Sequence, residues 1–186
     1  MVTAKSTIPA VECWRLDTAT RTAVFASFDG GAPALVHFGR ALPEQEDLRA
    51  LALSSLPNVS SGQLDPLVPL TLAPTAISGW QGHPGVVIVD ADGAAAEPDL
   101  RLIGSEILSD RISWSVADED RLGLSVEAHL DDTGLLHLRI SAAPANRHRI
   151  RSLAAGAVPI PASMPRILDH GGRWTGEFQR QETRFR

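Results

Sequence analysis

Short runs in which apolar and polar residues tend to alternate are the feature that most constrains this chain. Glycine, proline or aspartate interrupts these runs, which is the pattern of β-strands and not of long helices. The exception is 45–56, QEDLRALALSSL, where leucines and alanines before Pro57 predict a short helix. Strands are predicted at 11–17, 22–28, 34–38, 67–72, 86–90, 100–108, 111–117, 122–130, 135–142 and 149–159.

The segment LDDTGLL, residues 130–136, predicts a hairpin whose register can be worked out from the sequence. With Gly134 in the left-handed region of a three-residue loop, Asp131 faces Leu135. This register aligns the apolar positions of both strands on one face. The other face pairs Glu127 with Arg139, Ser125 with Ser141, and His129 with His137.

Strands of this kind must bury their apolar faces, and one short helix cannot cover them all. We therefore predict an all-β fold, a large two-layer antiparallel β-sandwich in which residues 1–186 form a single domain. The 186 residues, of which 44% are hydrophobic, are enough for one sizeable core.

Composition excludes several classes of partner. Seventeen Lys and Arg against 22 Asp and Glu leave no basic surface for nucleic acid. No apolar segment is long enough to span a membrane, and the N-terminus lacks the apolar region of a secretion signal. Cys13 is the single cysteine, which fits a reducing compartment. We expect a soluble cytoplasmic protein.

No catalytic, cofactor or metal site is predicted from the motifs. The glycine-rich segments FDGG, GWQGHPG and HGGRW lack the spacing of a nucleotide loop and are typical of turns. The acids at 90–92, 118–120 and 131–132 fall at hairpin tips, where they favour turn formation over glycoside hydrolysis. The pair of His129 and His137 lacks a third zinc ligand, since Glu127 has a cross-strand partner in Arg139.

The four tryptophans divide into two classes, and the chain has no tyrosine. Trp14 and Trp114 fall within strand patterns and are predicted core residues. Trp80 and Trp174 are flanked by glycines and are candidates for exposed positions, where large aromatic side chains serve as interface anchors.

Three segments together resemble the N-terminal domain of bacterial α-galactosidases of glycoside hydrolase family 36. WRLDTATRTAVF (14–25) is similar to the opening strand pair of that domain. LDPLVPLTLAP followed by GWQGHPGV, within 64–86, is similar to its central loop region. The segment RSLAAGAVPIPASMPRILDHGGRWTGEFQRQ (151–181) resembles its closing part and is the most specific of the three.

The resemblance implies a β-supersandwich that is followed, in the family, by a (β/α)8 barrel with an aspartate nucleophile and an aspartate acid/base. Those enzymes release terminal α-linked galactose with retention. A barrel of this type needs about 250 residues, so we expect it to be absent from this chain. The chain alone is then expected to be inactive, with Trp174 and Phe178 as interface residues that pack against the barrel.

In the family, oligomers form in which loops of the N-terminal domain wall the active site of a neighbouring subunit. By that resemblance, α-galactoside-type sugars are expected ligands, with Asp65 as an acceptor for sugar hydroxyls and Trp80 as a second contact. A turn residue before Pro66 is an equally good interpretation of Asp65. The lack of tyrosine and the few aromatics in VHFGR (36–40) leave open a divergent member that is not a galactosidase. The alternatives are a free-standing carbohydrate-binding module that stacks sugar on Trp80 or Trp174, and a purely structural module.

Overall fold

The computed structural model describes residues 8–56, 68–160, 164 and 166–184. In this part of the chain there are twelve β-strands, one short α-helix and one 3-10 turn, Ala76–Ser78. The strands are β1 (Val11–Asp17), β2 (Arg21–Phe28), β3 (Ala34–Arg40), β4 (Val86–Val89), β5 (Ala95–Ala96), β6 (Arg101–Ile107), β7 (Arg111–Asp118), β8 (Leu122–Leu130), β9 (Leu136–Pro144), β10 (Arg149–Leu153), β11 (Arg166–Gly171) and β12 (Gln179–Arg184). The helix, α1, is Leu48–Ser54.

The strands form four antiparallel sheets. The two larger ones have the strand orders β1-β2-β3 and β6-β7-β8-β9, and the smaller ones have the orders β10-β4-β5 and β11-β12. Alternating residues of the first two sheets are buried in one common cluster, so these sheets pack face to face. The predicted all-β, two-layer sandwich with one short helix is therefore confirmed.

Trp14 on β1 and Trp114 on β7 lie at the centre of the core, as the sequence predicted. Their rings meet edge to face, and Phe25 of β2 packs against Trp114 with 4.9 Å between ring centroids. The small β4 sheet closes the same core through Val86 and Ile88. Edge-to-face aromatic contacts of this kind add to the stabilisation that burial provides.

The β8–β9 hairpin has the predicted register. Glu127 lies opposite Arg139 and His129 lies opposite His137, so the polar side chains of the two strands share one face of the hairpin. Gly134 is left-handed at φ +83°, and the Asp131 amide donates to the Leu135 carbonyl at 3.1 Å. Leu124, Val126, Ala128 and Leu130 are buried, while their partners on β9 pack against the same core.

Two strand predictions differ from the structure. The described residues of 67–72 contribute only an isolated bridge between Thr71 and Ala34, and Pro69, which has no amide proton, weakens any ladder there. Strand β10 ends at Leu153 and not at residue 159, with Gly156 at φ +127° soon after. Strands β5, β11 and β12 were not predicted. Strand β5 has only two residues, and β12 (QRQETR) contains no apolar residue to signal a strand.

The predicted helix at 45–56 is shorter than expected and begins with a cap. The Asp47 side chain accepts a hydrogen bond from the Ala50 amide at 3.0 Å, which fixes the start of α1 at Leu48. Ala52 is buried against the sandwich. No helix in the described ranges is long and apolar enough to cross a membrane.

Candidate functional site

Trp174 and Phe178 lie in the turn that joins β11 to β12. Their exposed fractions are 89% and 86%, the highest among the large apolar side chains of the described residues. Thr175 and Phe178 have φ values of +70° and +58°, in a region that β-branched and bulky residues rarely adopt. The prediction that Trp174 is exposed is confirmed, and the turn presents both aromatic rings to its surroundings.

The turn depends on Gly172. Its φ is +153°, and a Cβ atom at this position would collide with the backbone of Gly176 and Glu177. The Gly176 amide donates to the Arg173 carbonyl at 2.8 Å, which closes the turn. Gly172, Arg173, Gly176 and Gln179 border an open concavity of about 500 Å³, which Trp174 also lines.

The hairpin that carries this turn contributes nothing to the common core. All six residues of β12 are exposed, and on β11 only Ile167 and Gly171 are partly buried. Ion pairs contribute to its stability: Glu182 accepts hydrogen bonds from Arg180 and Arg184 at 3.5 and 3.2 Å and lies 3.6 Å from Arg166. Exposed ion pairs of this kind stabilise little. An isolated two-stranded hairpin is marginal in water.

Trp80 takes a different position from the one that its glycine neighbours suggested. It is partly buried, and its Nε1 donates to the His83 carbonyl at 3.2 Å. Its ring lies so close to Gly82 that a Cβ atom there would sit 2.6 Å from the ring. The loop thus folds back on its own tryptophan. Asp65, the other predicted sugar contact, lies outside the described residues.

The acidic clusters act as turn caps. Asp90 accepts from the Asp92 and Ala94 amides at 2.9 Å each. Asp131 accepts from the Thr133 hydroxyl, His137 and the Leu135 amide, and these bonds hold its pKa well below the ordinary value. A general acid needs the opposite shift, toward a higher pKa.

The histidine pair at the β8–β9 hairpin is held by two carboxylates. The rings of His129 and His137 stack with centroids 5.5 Å apart, and their Nε2 atoms lie 3.1 Å from Asp110 and 2.8 Å from Asp131. No group of three potential metal ligands occurs in the described part of the chain.

The cross-strand position of Glu127 is as predicted, but its ion-pair partner is not. Arg139 lies opposite Glu127 in the register, but the ion pair joins Glu127 to Arg111 on the other neighbouring strand, at 3.9 Å.

Sequence reasoning missed a cleft of about 380 Å³ between the β2–β3 turn, the segment 68–78 and the start of β6. The Asp29-Gly30 pair is a turn signal. Nothing in the sequence indicates, however, that this turn meets Thr75 and Arg101, which lie 46 and 72 positions further along the chain. The cleft is a product of the sandwich topology.

Comparison with known proteins identifies the domain family and solved structures with a similar fold. The family model of the glycosyl hydrolase family 36 N-terminal domain matches residues 31–186. No curated protein is significantly similar in sequence. An α-galactosidase variant from Geobacillus stearothermophilus in complex with 1-deoxygalactonojirimycin superposes with a TM-score of 0.71 at 14% identity, over 94% of this chain and 28% of that chain.

Two further structures are similar to the same extent. A raffinose complex of a variant of the Geobacillus stearothermophilus enzyme has a TM-score of 0.70 at 14% identity, over 94% of this chain and 28% of that chain. The α-galactosidase from Lactobacillus brevis has a TM-score of 0.70 at 12% identity, over 94% and 27%. The chain thus spans less than a third of these enzymes. Because the family model covers most of its length, the chain belongs to the N-terminal domain family of glycosyl hydrolase family 36.

Proposed function

We propose that residues 1–186 form one non-catalytic domain of an α-galactosidase-like glycoside hydrolase, whose catalytic (β/α)8 barrel lies outside this chain. Membership of the family 36 N-terminal domain supports this function. So does the share of the similar α-galactosidases that the chain spans, 28% of the first. The remainder of such an enzyme is ample for a barrel of about 250 residues.

The exposed aromatic pair carries the proposal. Trp174 and Phe178 project from a hairpin that has little apolar burial of its own. Large apolar patches exposed in this way mark interaction surfaces, and tryptophan is enriched among the residues that dominate binding. The barrel is the proposed occupant, and packing against it would stabilise a hairpin that is otherwise marginal.

The pKa shifts of the acidic residues agree with a domain that has no catalytic activity of its own. Where the pKa of a carboxyl group departs clearly from its ordinary value in the described residues, as for Asp17, Asp110 and Asp131, it is lowered. Retaining glycosidases need one carboxylic acid with a raised pKa across the sugar from a second carboxyl group. The proposal assigns the catalytic residues to the barrel.

Strand β6 supports the proposed homo-oligomer contacts. It lies at an edge of the four-stranded sheet, and Ile103, Ile107 and the following Leu108 are exposed. An edge strand with unpaired backbone groups and apolar side chains readily pairs with another chain. A second copy of this protein is the proposed partner at this edge.

Asp65 and Trp80 are proposed to line an edge of the substrate pocket. The proposed substrates are α-galactoside-type sugars, since the similar enzymes are α-galactosidases, one of them bound to raffinose. The free thiol of Cys13 agrees with a reducing, cytoplasmic location.

The competing function is a free-standing carbohydrate-binding module. In that case Trp174 would serve as a stacking platform for sugar, and its exposure is the observation that favours this function. A purely structural module is the third possibility. Titration with melibiose and raffinose separates them, because a free-standing module binds through Trp174 without any barrel.

The docking proposal is tested by a binding experiment. The chain is titrated with a separately expressed (β/α)8 barrel of a family 36 α-galactosidase, and Trp174→Ser and Phe178→Ser are compared with Leu135→Ser. Leu135 is also exposed, but it lies in the β8–β9 turn. A buried tryptophan anchor contributes about 2 kcal/mol or more, so Trp174→Ser is expected to weaken binding roughly 30-fold. Equal binding by all three variants would exclude the hairpin as the docking surface.

A further inference from the structure

The chain contains two Asp-Gly dipeptides, Asp29-Gly30 and Asp92-Gly93. At such a sequence the amide nitrogen of the glycine can attack the carboxyl carbon of the aspartate, because glycine has no side chain to obstruct the approach. The product is a five-membered succinimide ring. Both aspartates are exposed, so the hydrogen bonds around each one decide which of them reacts.

Asp29 is held in place by two other segments of the chain. Its Oδ1 accepts from the Ala10 amide at 2.9 Å, and its own amide donates to the Ala10 carbonyl at 2.8 Å. The Gly30 carbonyl accepts from the Leu102 amide of β6 at 2.8 Å. Ring closure at Asp29 would require the carboxyl group and the next peptide unit to leave these partners, and each broken hydrogen bond adds to the cost.

Asp92 lies at the tip of the turn between β4 and β5, and its carboxyl group has no such restraint. In the part of the chain that the structure describes, no group donates a hydrogen bond to this carboxylate; the Asp92 amide donates to Oδ1 of Asp90 at 2.9 Å. Gly93 has a φ of +85°, and nothing lies within 4 Å of its Cβ position. The tip therefore projects into open space.

One hydrogen bond in this turn opposes the reaction, and it opens at little cost. The Gly93 amide donates to the Asp90 carbonyl at 3.2 Å. Strand β5, which follows, has only Ala95 and Ala96, and neither residue is fully buried. Segments with few buried apolar contacts open locally at low free energy. Opening of this turn frees the Gly93 nitrogen to approach the carboxyl carbon of Asp92.

From this contrast we infer that Asp92-Gly93 is a site of isoaspartate formation and that Asp29-Gly30 is protected. In the first step the Gly93 nitrogen bonds to Cγ of Asp92, and the carboxyl hydroxyl group leaves with the amide proton as water. In the second step water adds to the ring and cleaves the bond between the Asp92 carbonyl carbon and the Gly93 nitrogen. The chain is then linked through Cγ, with no net change in mass and no transfer of electrons.

The modified site presents a free carboxyl group that was part of the backbone. The enzymes that fit this chemistry are carboxyl methyltransferases that recognise isoaspartate and use S-adenosylmethionine as the methyl donor. The site goes beyond the proposed function, because it needs neither the barrel nor a sugar.

The modification would release β5 from β4. An isoaspartyl link adds one methylene group to the backbone, which changes the spacing of the Asp92 and Ala94 amides that Asp90 holds at 2.9 Å each. Strand β4 would stay in place, because it also pairs with β10 and its Val86 and Ile88 are buried. Its other edge, with the sequence VVIV, would lose its partner. An unpaired apolar edge of this kind favours association with other chains.

The site is tested by incubating the full chain at physiological temperature and neutral pH. Methyl transfer from labelled S-adenosylmethionine by an isoaspartyl methyltransferase measures total isoaspartate, and electron-transfer fragmentation in a mass spectrometer locates it. We expect isoaspartate to form about tenfold faster at position 92 than at position 29, since ring closure at Asp29 breaks more hydrogen bonds. Equal or faster formation at position 29 would overturn the inference. So would unmodified Asp92 at the time when half of a synthetic peptide of residues 88–96 has converted.

Matched variants separate the two positions. Asp92→Glu keeps the charge, but its longer side chain disfavours ring closure, so methyl acceptance should be lost; Asp29→Glu should leave it unchanged. The reverse result would place the reactive site at Asp29. Hydrogen exchange tests the structural consequence, because the Asp90 and Ala94 amides bond across the turn. Their exchange should be about tenfold faster in the modified protein, and unchanged exchange would contradict the release of β5.

Discussion

Trp14 and Trp114 contact each other across the two main sheets, with ring centroids 5.5 Å apart and planes at 82°. Their indole nitrogens differ. Trp14 Nε1 donates to the Ser105 hydroxyl at 3.1 Å, whereas Trp114 Nε1 is buried and has no partner among the described residues. The two tryptophans thus contribute similar apolar contact but unequal hydrogen bonding.

Replacement of each tryptophan by phenylalanine should separate these contributions. Trp14→Phe removes a hydrogen bond worth about 1 kcal/mol, whereas Trp114→Phe removes a buried donor that is unpaired. Both variants lose similar volume, so we expect Trp14→Phe to lower the free energy of unfolding by about 1 kcal/mol more. Urea denaturation of the two variants measures the difference. A larger loss for Trp114→Phe would mean that its Nε1 has a partner.

The β8–β9 turn should be sensitive to a methyl group at Gly134. A Cβ atom there would lie 2.8 Å from the Arg21 side chain, at a φ of +83°. Gly93 is the matched control, because its φ is +85° and nothing lies within 4 Å of its Cβ position. We expect about 1 kcal/mol of destabilisation for Gly93→Ala from the backbone, and up to about 1 kcal/mol more for Gly134→Ala from crowding.

Thermal denaturation checks this pair. Arg21→Ala in the Gly134→Ala background should recover part of the additional loss, since the two positions are in contact. Equal stabilities of the two alanine variants would show that Arg21 moves aside at no cost.

Stability should fall in acid partly through Asp131. The Thr133 hydroxyl and His137 hydrogen-bond this carboxylate and hold its pKa well below the unfolded value of about 3.9. A lowered folded-state pKa contributes stability above the unfolded pKa, and this contribution is lost as the pH falls toward the folded value. The free energy of unfolding of the wild type should therefore exceed that of Asp131→Asn by the largest amount at pH 6. The difference should shrink below about pH 4.

The melting temperature, measured between pH 2.5 and pH 6, tests this dependence. Asp132→Asn makes the same change in charge next door and should parallel wild type. A difference in melting temperature that stays constant with pH would show that Asp131 does not contribute to the loss of stability in acid.

The β11–β12 turn offers a test of local strain. Thr175 is β-branched at φ +70°, where glycine is unstrained. Thr175→Gly is expected to stabilise the hairpin by about 1 kcal/mol and to slow amide exchange in β11 and β12. Thr183→Gly, in the extended part of β12, should speed exchange. Faster exchange in Thr175→Gly would contradict the assigned backbone.

The sequence was informative where apolar alternation and turn chemistry agreed. In β8–β9 both signals point to one register, and the buried tryptophans follow from strand patterns alone. Where a strand has no apolar face, as in β12, the sequence carries no signal. The cleft at Asp29 and Thr75 arises from contacts between segments far apart in the chain, which local patterns cannot reveal.

We propose that this sandwich binds and positions a catalytic barrel and does not itself hydrolyse the glycosidic bond. The most direct measurement compares hydrolysis of 4-nitrophenyl α-D-galactopyranoside by the purified 186-residue chain with hydrolysis by the same chain extended through whatever the gene encodes after Arg186. We expect no turnover by the 186 residues and turnover by the extended protein. Hydrolysis by the 186 residues alone would contradict it.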